Sequence, residues 1–498
     1  MNLQTQRTLQ ELEKFLSTPL TEKLTQHQKI APQKIAIQLF QDVVATVPAY
    51  QQFLETHHIK PATIRTFADF QKLPLICKEN YISLYSLAEL CKDGNLGSCD
   101  MIAASSGSSG KPTFWPRFCT DELEIATRFE QIFHDSFYAD NKTTLAIVCF
   151  SLGTWVGGMF TTSCCRYLAC KGYPITVITP GNNKTEILRV VQEIGSNFEQ
   201  VVLLGYPPFL KDVIDTGIAN GLDWKPYQIK LVMAGEVFSE EWRDLVSERI
   251  ESKNPYYDFA SMYGTADAGV LGNETPLSIC IRRFLAENTA AAKSLFGESR
   301  LPTLVQYDPC SRFFEVEDGK LIFSGNNGIP LIRYNILDNG GLISYEQMLK
   351  FLAEWGFNPV EELQQNRGIH QLPFVYVFGR SNFTVSYFGA NIYPENVSVG
   401  LEQAIIREWV TGKFVLQVKE DEDKNRFLSV VVELAPGVEG SVEKTATITN
   451  SIVNQLLRLN SEFANYVPGE YQTPQVELKP TGDGEYFPVG VKHRYTRK

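Results

Sequence analysis

Along the first 70 residues apolar positions recur at helical spacing: Ile35, Leu39 and Val43 fall beside Ile37, Phe40 and Val44, while Pro48, Pro61 and Pro74 punctuate the run. The spacing predicts a helical lead-in that packs on a larger body, followed by a connector over 70–90. A helix is predicted over 121–133, and from there the period alternates. Short apolar runs at 145–150, 175–179, 201–204, 229–233 and 257–261 read as strands. Between them, 158–169, 185–193, 208–218 and 239–250 read as helices. Strand and helix in strict alternation imply crossover units and a parallel sheet, so the large domain is α/β. Runs at 313–317 and 321–324, joined by Asp318-Gly319-Lys320, read as an antiparallel hairpin. Beyond Gly379-Arg380-Ser381 the texture changes to strand (384–388), helix (395–408), two strands (414–418 and 427–434), helix (442–459) and strand (475–478). The expected organisation is a helical lead-in over 1–75, a large domain with mainly parallel sheets over 76–380, and a small mobile α+β domain over 381–498.

A chain of 498 residues with 44% hydrophobic and 21% charged positions is ordinary globular protein of two or three domains. Its 57 acidic against 46 basic residues give a net charge of -11, which argues against nucleic acid or an anionic membrane as a partner. The first fifteen residues are polar and charged, with no basic segment followed by an apolar core, so a cytoplasmic location is the default expectation. Residues 143–165 carry no charge and are long enough to span a bilayer. Ser151, Gly153, Thr154, Gly157 and Gly158 break the stretch into a strand, a loop and a buried helix, and no membrane span is expected. Ten cysteines spread over this length read as reduced thiols, and Cys164, Cys165 and Cys170 lack the paired spacing of a zinc site. The six histidines form no H-E-x-x-H pattern, which excludes the usual zinc hydrolase.

The densest chemistry is Ser105-Ser106-Gly107-Ser108-Ser109-Gly110-Lys111-Pro112-Thr113. Glycines let the main chain turn its N–H groups inward, and hydroxyls and a lysine add donors and charge, which is what a phosphate cradle needs. A flexible linker uses the same letters, but this run has apolar chain on both sides. It does not fit the G-x-x-x-x-G-K-[ST] template, because Pro112 follows Lys111. In α/β sheets ligands sit at the carboxyl ends of strands, which singles out Gly235-Glu236 and Tyr263-Gly264-Thr265-Ala266-Asp267. Tyr263 offers a flat ring for a nucleobase and Asp267 a carboxylate for a cation; the same two residues also suit a core aromatic and a helix cap. Asp338, ahead of Gly340-Gly341, suits either sugar hydroxyls or an ordinary turn.

Taken in order, these motifs resemble those of the adenylate-forming acyl-activating superfamily, and within it the phenylacetate-CoA ligase-like branch. SSGSSGKPT is similar to the family's phosphate loop, and Tyr263 to Asp267 resembles its tyrosine-glycine motif that ends in an acid. Arg333-Tyr334 to Asp338 resembles its ribose motif, and Gly379-Arg380-Ser381 through 389–394 its hinge and following glycine loop. Residues 73–78, Leu-Pro-Leu-Ile-Cys-Lys, resemble the short lead-in of the branch.

The resemblance implies ATP and Mg2+ as cofactors, with a small domain that swings between two orientations. It implies that Ser105, Ser106, Gly107, Ser108, Ser109, Gly110 and Lys111 wrap the β- and γ-phosphates. Asp267 would hold the metal, Tyr263 would stack on adenine beside Gly235-Glu236 within the same nucleotide pocket as Gly264 and Thr265, and Asp338 with Arg380 would take the ribose. Lys492 would be the catalytic lysine that bridges acid and α-phosphate, with Lys498 as the alternative. Asp267 stands where the family usually has glutamate, and Asn382 where its hinge has aspartate. Phe150, Trp155, Gly157, Tyr206 and Pro207 would line an apolar pocket for an aryl or hydrophobic acid. The expected activity is formation of an acyl-AMP and transfer to a thiol, coenzyme A, as an acid–thiol ligase. The alternatives are transfer to an amine or carrier protein, and a silent nucleotide- or acyl-binding module. Association as a homodimer stays open.

Overall fold

The computed structural model describes residues 3–97, 99–104, 113–154, 156–298, 300–364, 367–380, 384–388, 390–420, 426–460, 463–464, 467–488 and 493–497. Helices Leu3–Ser17, Leu20–Gln28, Pro32–Thr46 and Pro48–Thr56 form the lead-in. Pro32 and Pro48 each open a helix, where the missing N–H has no intrahelical partner to lose. Phe40, Val43, Tyr50 and Phe53 from these helices share one buried core with Phe70, Tyr81, Leu331 and Tyr334, so the lead-in is welded to the body. A short antiparallel ladder of β1 (Met101–Ala104) and β2 (Phe114–Arg117) pairs Ala104 with Phe114. It flanks residues 105–112, which lie outside the described residues.

The body is one eleven-stranded sheet built in two halves. In the first half β3 (Thr144–Val148), β4 (Ile175–Ile178), β5 (Gln200–Gly205), β6 (Lys230–Ala234) and β7 (Phe259–Thr265) pair in parallel in the order β4-β3-β5-β6-β7. Every position of β3 and β5 is buried. Ala146 and Val148 face one core while Leu145 and Ile147 face another, as expected of a parallel sheet covered by helices on both sides. The uncharged stretch 143–165 therefore resolves into β3, a loop and helix Val156–Cys170. Among the described residues no helix is long and apolar enough to cross a membrane.

The second half is antiparallel. β8 (Gly269–Asn273) folds back on β7, and β9 (Thr303–Gln306), β10 (Phe313–Glu317), β11 (Lys320–Gly325), β12 (Leu331–Ile343) and β13 (Phe374–Arg380) complete the order β8-β9-β13-β12-β11-β10. Asp318 and Gly319 both take positive φ, 50° and 70°, the backbone that a two-residue hairpin loop matching strand twist requires. The Asp338-Asn339-Gly340-Gly341 run is not a turn: it lies inside the thirteen-residue β12. A Cβ on Gly340 would sit 2.1 Å from the Tyr376 carbonyl, so glycine here permits close strand approach at a bulge.

Past β13, hairpin β14 (Val385–Tyr387) and β15 (Ala390–Ile392) leads to helix Pro394–Leu401. A three-stranded sheet of β16 (Val410–Glu420), β17 (Arg426–Leu434) and β18 (Gln475–Lys479) carries that helix and helix Val442–Leu459. Leu401, Phe414, Val430, Ile448 and Ile452 form its core. The helix expected over 395–408 ends at Leu401.

Candidate active site

The end of β7 and the neighbouring face of β12 bring Tyr263, Asp267 and Asp338 together. β7 delivers Tyr263 and Gly264, and its tight return to β8 delivers Asp267. A Cβ on Gly264 would lie 2.6 Å from the Gly269 carbonyl, so only glycine lets the returning strand approach this closely. Tyr263 donates its hydroxyl to Asp338 Oδ2 at 2.7 Å, joining the strand-end motif to β12. Asp338 in turn lies opposite Arg380 of β13 in the ladder. Four residues earlier on β12, the Tyr334 hydroxyl donates to Asp267 Oδ2. The two motifs, about 70 residues apart in the chain, are thus cross-linked twice by buried tyrosine–aspartate hydrogen bonds.

Lys78 and Arg117 complete this corner. Lys78 Nζ lies 3.5 Å from Asp267 Oδ2 and 5.9 Å above the Trp115 ring of β2. Arg117, fully buried at the end of β2, donates to the Ala266 carbonyl. Burial lowers its pKa while Asp121 and Asp267 oppose that effect. Two cations, Lys78 and Arg117, thus act on the Asp267 carboxylate beside β2. Spacing did not flag Lys78, Trp115 or Arg117 for this role. The signal in the sequence was Lys78 closing the 73–78 motif; the fold brings it here through Ile76, which bridges to Tyr334 in parallel.

Gly235 follows β6 with φ 83°, and Glu236 comes next. Tyr206, at the end of β5, is pushed up in pKa by burial and then by Glu236. The chain end reaches the same place. Tyr495 is raised well above an ordinary phenol, first by burial and then by the neighbouring Glu236 carboxylate. Its backbone is held on β16, where Leu416 N–H donates to the Tyr495 carbonyl at 2.7 Å and Thr496 bridges Leu416. The Phe150 and Tyr206 rings meet edge to face at 5.1 Å, and a Cβ on Gly157 would rest 3.5 Å from Phe150 Cγ. Pro207 opens helix Pro207–Ala219 directly behind Tyr206. Three of the five predicted acid-pocket residues therefore adjoin one another, beside Glu236. Ser105 to Lys111, Trp155, Asn382, Lys492 and Lys498 lie outside the described residues, and Arg380 is placed by its backbone.

No protein-family model matches the chain, and no curated protein matches it in sequence. Among solved structures it is similar to 2-hydroxyisobutyryl-CoA ligase in the postadenylation state in complex with R3-HIB-AMP. The TM-score is 0.67 at 13% identity, over 94% of this chain and 88% of that one. The chain shares the fold of this ligase over nearly its whole length. The same ligase in complex with 2-HIB-AMP and CoA in the thioesterification state gives a TM-score of 0.53 at 14% identity, over 97% of this chain and 90% of that one. At this identity the likeness concerns the fold, and it extends over both the large sheet and the smaller one after it.

Proposed function

We propose that this chain activates a carboxylic acid with ATP as an acyl-AMP and passes the acyl group to a thiol, with coenzyme A as the acceptor. The observation that carries the reading is the double cross-link of Tyr263 to Asp338 and Tyr334 to Asp267. It joins a ring suited to adenine, a carboxylate suited to ribose hydroxyls and a carboxylate suited to a cation at one end of the sheet. Asp267, whose Oδ2 meets the Tyr334 hydroxyl and Lys78, is the carboxylate that would hold Mg2+. The metal would supply positive charge against the phosphates.

In the first step a carboxylate oxygen attacks the α-phosphorus of ATP and pyrophosphate leaves. Anions must meet anions, so the chain has to supply donors and positive charge that are already in place. Residues 105–111 would grip the β- and γ-phosphates, Lys78 and Arg117 would offset charge at their base, and Lys492 would bridge the acid and the α-phosphate. In the second step the thiolate attacks the acyl carbon and AMP leaves. The apolar corner of Phe150, Gly157 and Tyr206 supports an aryl or hydrophobic acid. Residues 384–497, with a core of their own, would reorient between the steps about a joint near Ser381.

The test is pyrophosphate release with ATP and Mg2+ across aryl acids and short to long fatty acids, with and without coenzyme A. Release for one acid class, with a CoA thioester formed only when CoA is present, supports the proposal. Bound ATP with no release for any acid would contradict it.

A further inference from the structure

Arg300 lies between helix Thr289–Phe296 and β9, outside the corner described above, and is only 5% exposed. Its guanidinium reaches both sides of the joint between the large sheet and the residues after it. On the large-sheet side it lies 4.7 Å from the Phe378 ring centroid, and Nη1 donates to the Phe378 carbonyl at 3.2 Å. Phe378 is two residues from the end of β13. On the other side it lies 3.8 Å from the Tyr393 ring centroid, and Nη1 is 3.3 Å from Glu395 Oε2. Tyr393 is the residue before helix Pro394–Leu401, and Glu395 is in its first turn. One planar cation thus contacts aromatic rings at both ends of the 381–392 connection.

Other contacts across the joint, among the described residues, run through charged side chains, between helices Pro207–Ala219 and Glu240–Arg249 and residues 402–410. Ser239 donates to Glu402, Arg407 pairs with Glu248 at 2.6 Å, Arg249 pairs with Glu408 at 2.7 Å, and Lys211 Nζ is 3.4 Å from the Val410 carbonyl. The Arg407–Glu248 and Arg249–Glu408 ion pairs have exposed carboxylates and hold weakly, whereas the Ser239–Glu402 and Lys211 contacts are buried. A guanidinium that stacks on two rings at once has a fixed plane, and a lysine ammonium cannot reproduce it.

We infer that Arg300 is a positioning residue that clamps residues 384–497 in the orientation described here. On the proposed function, that orientation favours the adenylation step, because it brings the chain end at Tyr495 beside Glu236. Losing the clamp would therefore slow adenylation more than thiol transfer.

Hydrogen–deuterium exchange on the full chain tests the clamp without any assumption about activity. In Arg300→Ala, amides of residues 394–410 are expected to exchange about tenfold faster than in the native protein, while those of helix Val442–Leu459 and β5 stay unchanged. Arg300→Lys should follow Arg300→Ala. Glu395→Gln, which removes only the ion pair and keeps the fold, should move the same amides part of the way. Exchange over 394–410 unchanged in both Arg300→Ala and Glu395→Gln would overturn the inference, as would native exchange in Arg300→Lys. If Arg300→Ala does not fold, Arg300→Lys and Glu395→Gln carry the test. In the second readout, Arg300→Ala should lower acid-dependent ATP–pyrophosphate exchange about tenfold relative to thioester formation from supplied acyl-AMP. Equal loss in both would overturn the link to adenylation. If the native chain shows no pyrophosphate exchange with any acid, the proposed function fails and hydrogen exchange alone judges the clamp.

Discussion

Asp267 and Asp338 are both almost fully buried, and each accepts from a tyrosine hydroxyl carried on the opposite motif. A hydrogen bond to a buried carboxylate contributes on the order of 1.5–3 kcal/mol, so Tyr334→Phe should lower unfolding stability by about that amount, as read from urea denaturation. A loss below about 0.5 kcal/mol would mean that water or another donor replaces the hydroxyl. Asp267→Asn keeps the side chain's shape but removes its charge. It should slow pyrophosphate release roughly 10²–10³-fold while the fold persists, if Asp267 holds the cation of the reaction. At this scale the sequence was partly legible. Tyr263, Asp267 and Asp338 could be named because they follow strands or sit beside glycines. The pairing of Tyr334 with Asp267 could not, because it spans 67 positions and depends on how β12 lies beside β7. Lys78 stayed hidden for the same reason: it belongs to a connector that folds back onto the site.

Among the elements, the return from β7 to β8 is the most constrained part of the site. Gly264→Ala would place a methyl 2.6 Å from the Gly269 carbonyl, with backbone on the other side that cannot yield. The variant should lose about 2–4 kcal/mol of stability and displace Asp267. Calorimetry with a parallel pyrophosphate assay checks both effects, and an unperturbed melting temperature would contradict the packing argument. Helix Pro394–Leu401 shows why element ends were harder to read than element types. Residues 402–409 have helix-forming composition and no proline or glycine stop, yet Glu402, Arg407 and Glu408 are drawn into the charged seam and the helix ends early.

Glu402 in that seam also carries a pH signature. Burial lifts its carboxyl to about 7, with the Ser239 hydrogen bond, Arg282 and Lys211 acting against the rise and Glu241 adding to it. Its folded value lies above the unfolded one, so its contribution to stability is complete below about 4.5 and is lost as the pH rises through about 7. Lys211 runs the other way: burial depresses it to about 7, and its contribution is lost as the pH falls through that value. Glu402→Gln keeps an acceptor for Ser239 and removes the titration. It should flatten the fall in stability between pH 5 and 8 and exceed the native chain at pH 8 by about 1 kcal/mol or more. An unchanged slope would show that another group controls this window.

On the scale of the whole chain, the alternating half of the sheet was legible because parallel strands buried on both faces leave continuous apolar runs between helices. The antiparallel half was less so. Its strands pair far along the chain, with β9 beside β13, and its glycine pairs mimic turns while serving close strand contact. The two halves meet at β7 and β8, the place that gathers the motifs. The measurement that tests the central claim most directly is acid-dependent exchange of labelled pyrophosphate into ATP by the native chain and by Lys492→Ala. The account predicts exchange with one class of acid, reduced roughly 10²–10³-fold in the variant, which should still bind ATP. Native protein that binds ATP but exchanges no pyrophosphate with any acid would contradict it and leave a nucleotide-binding module on the same fold.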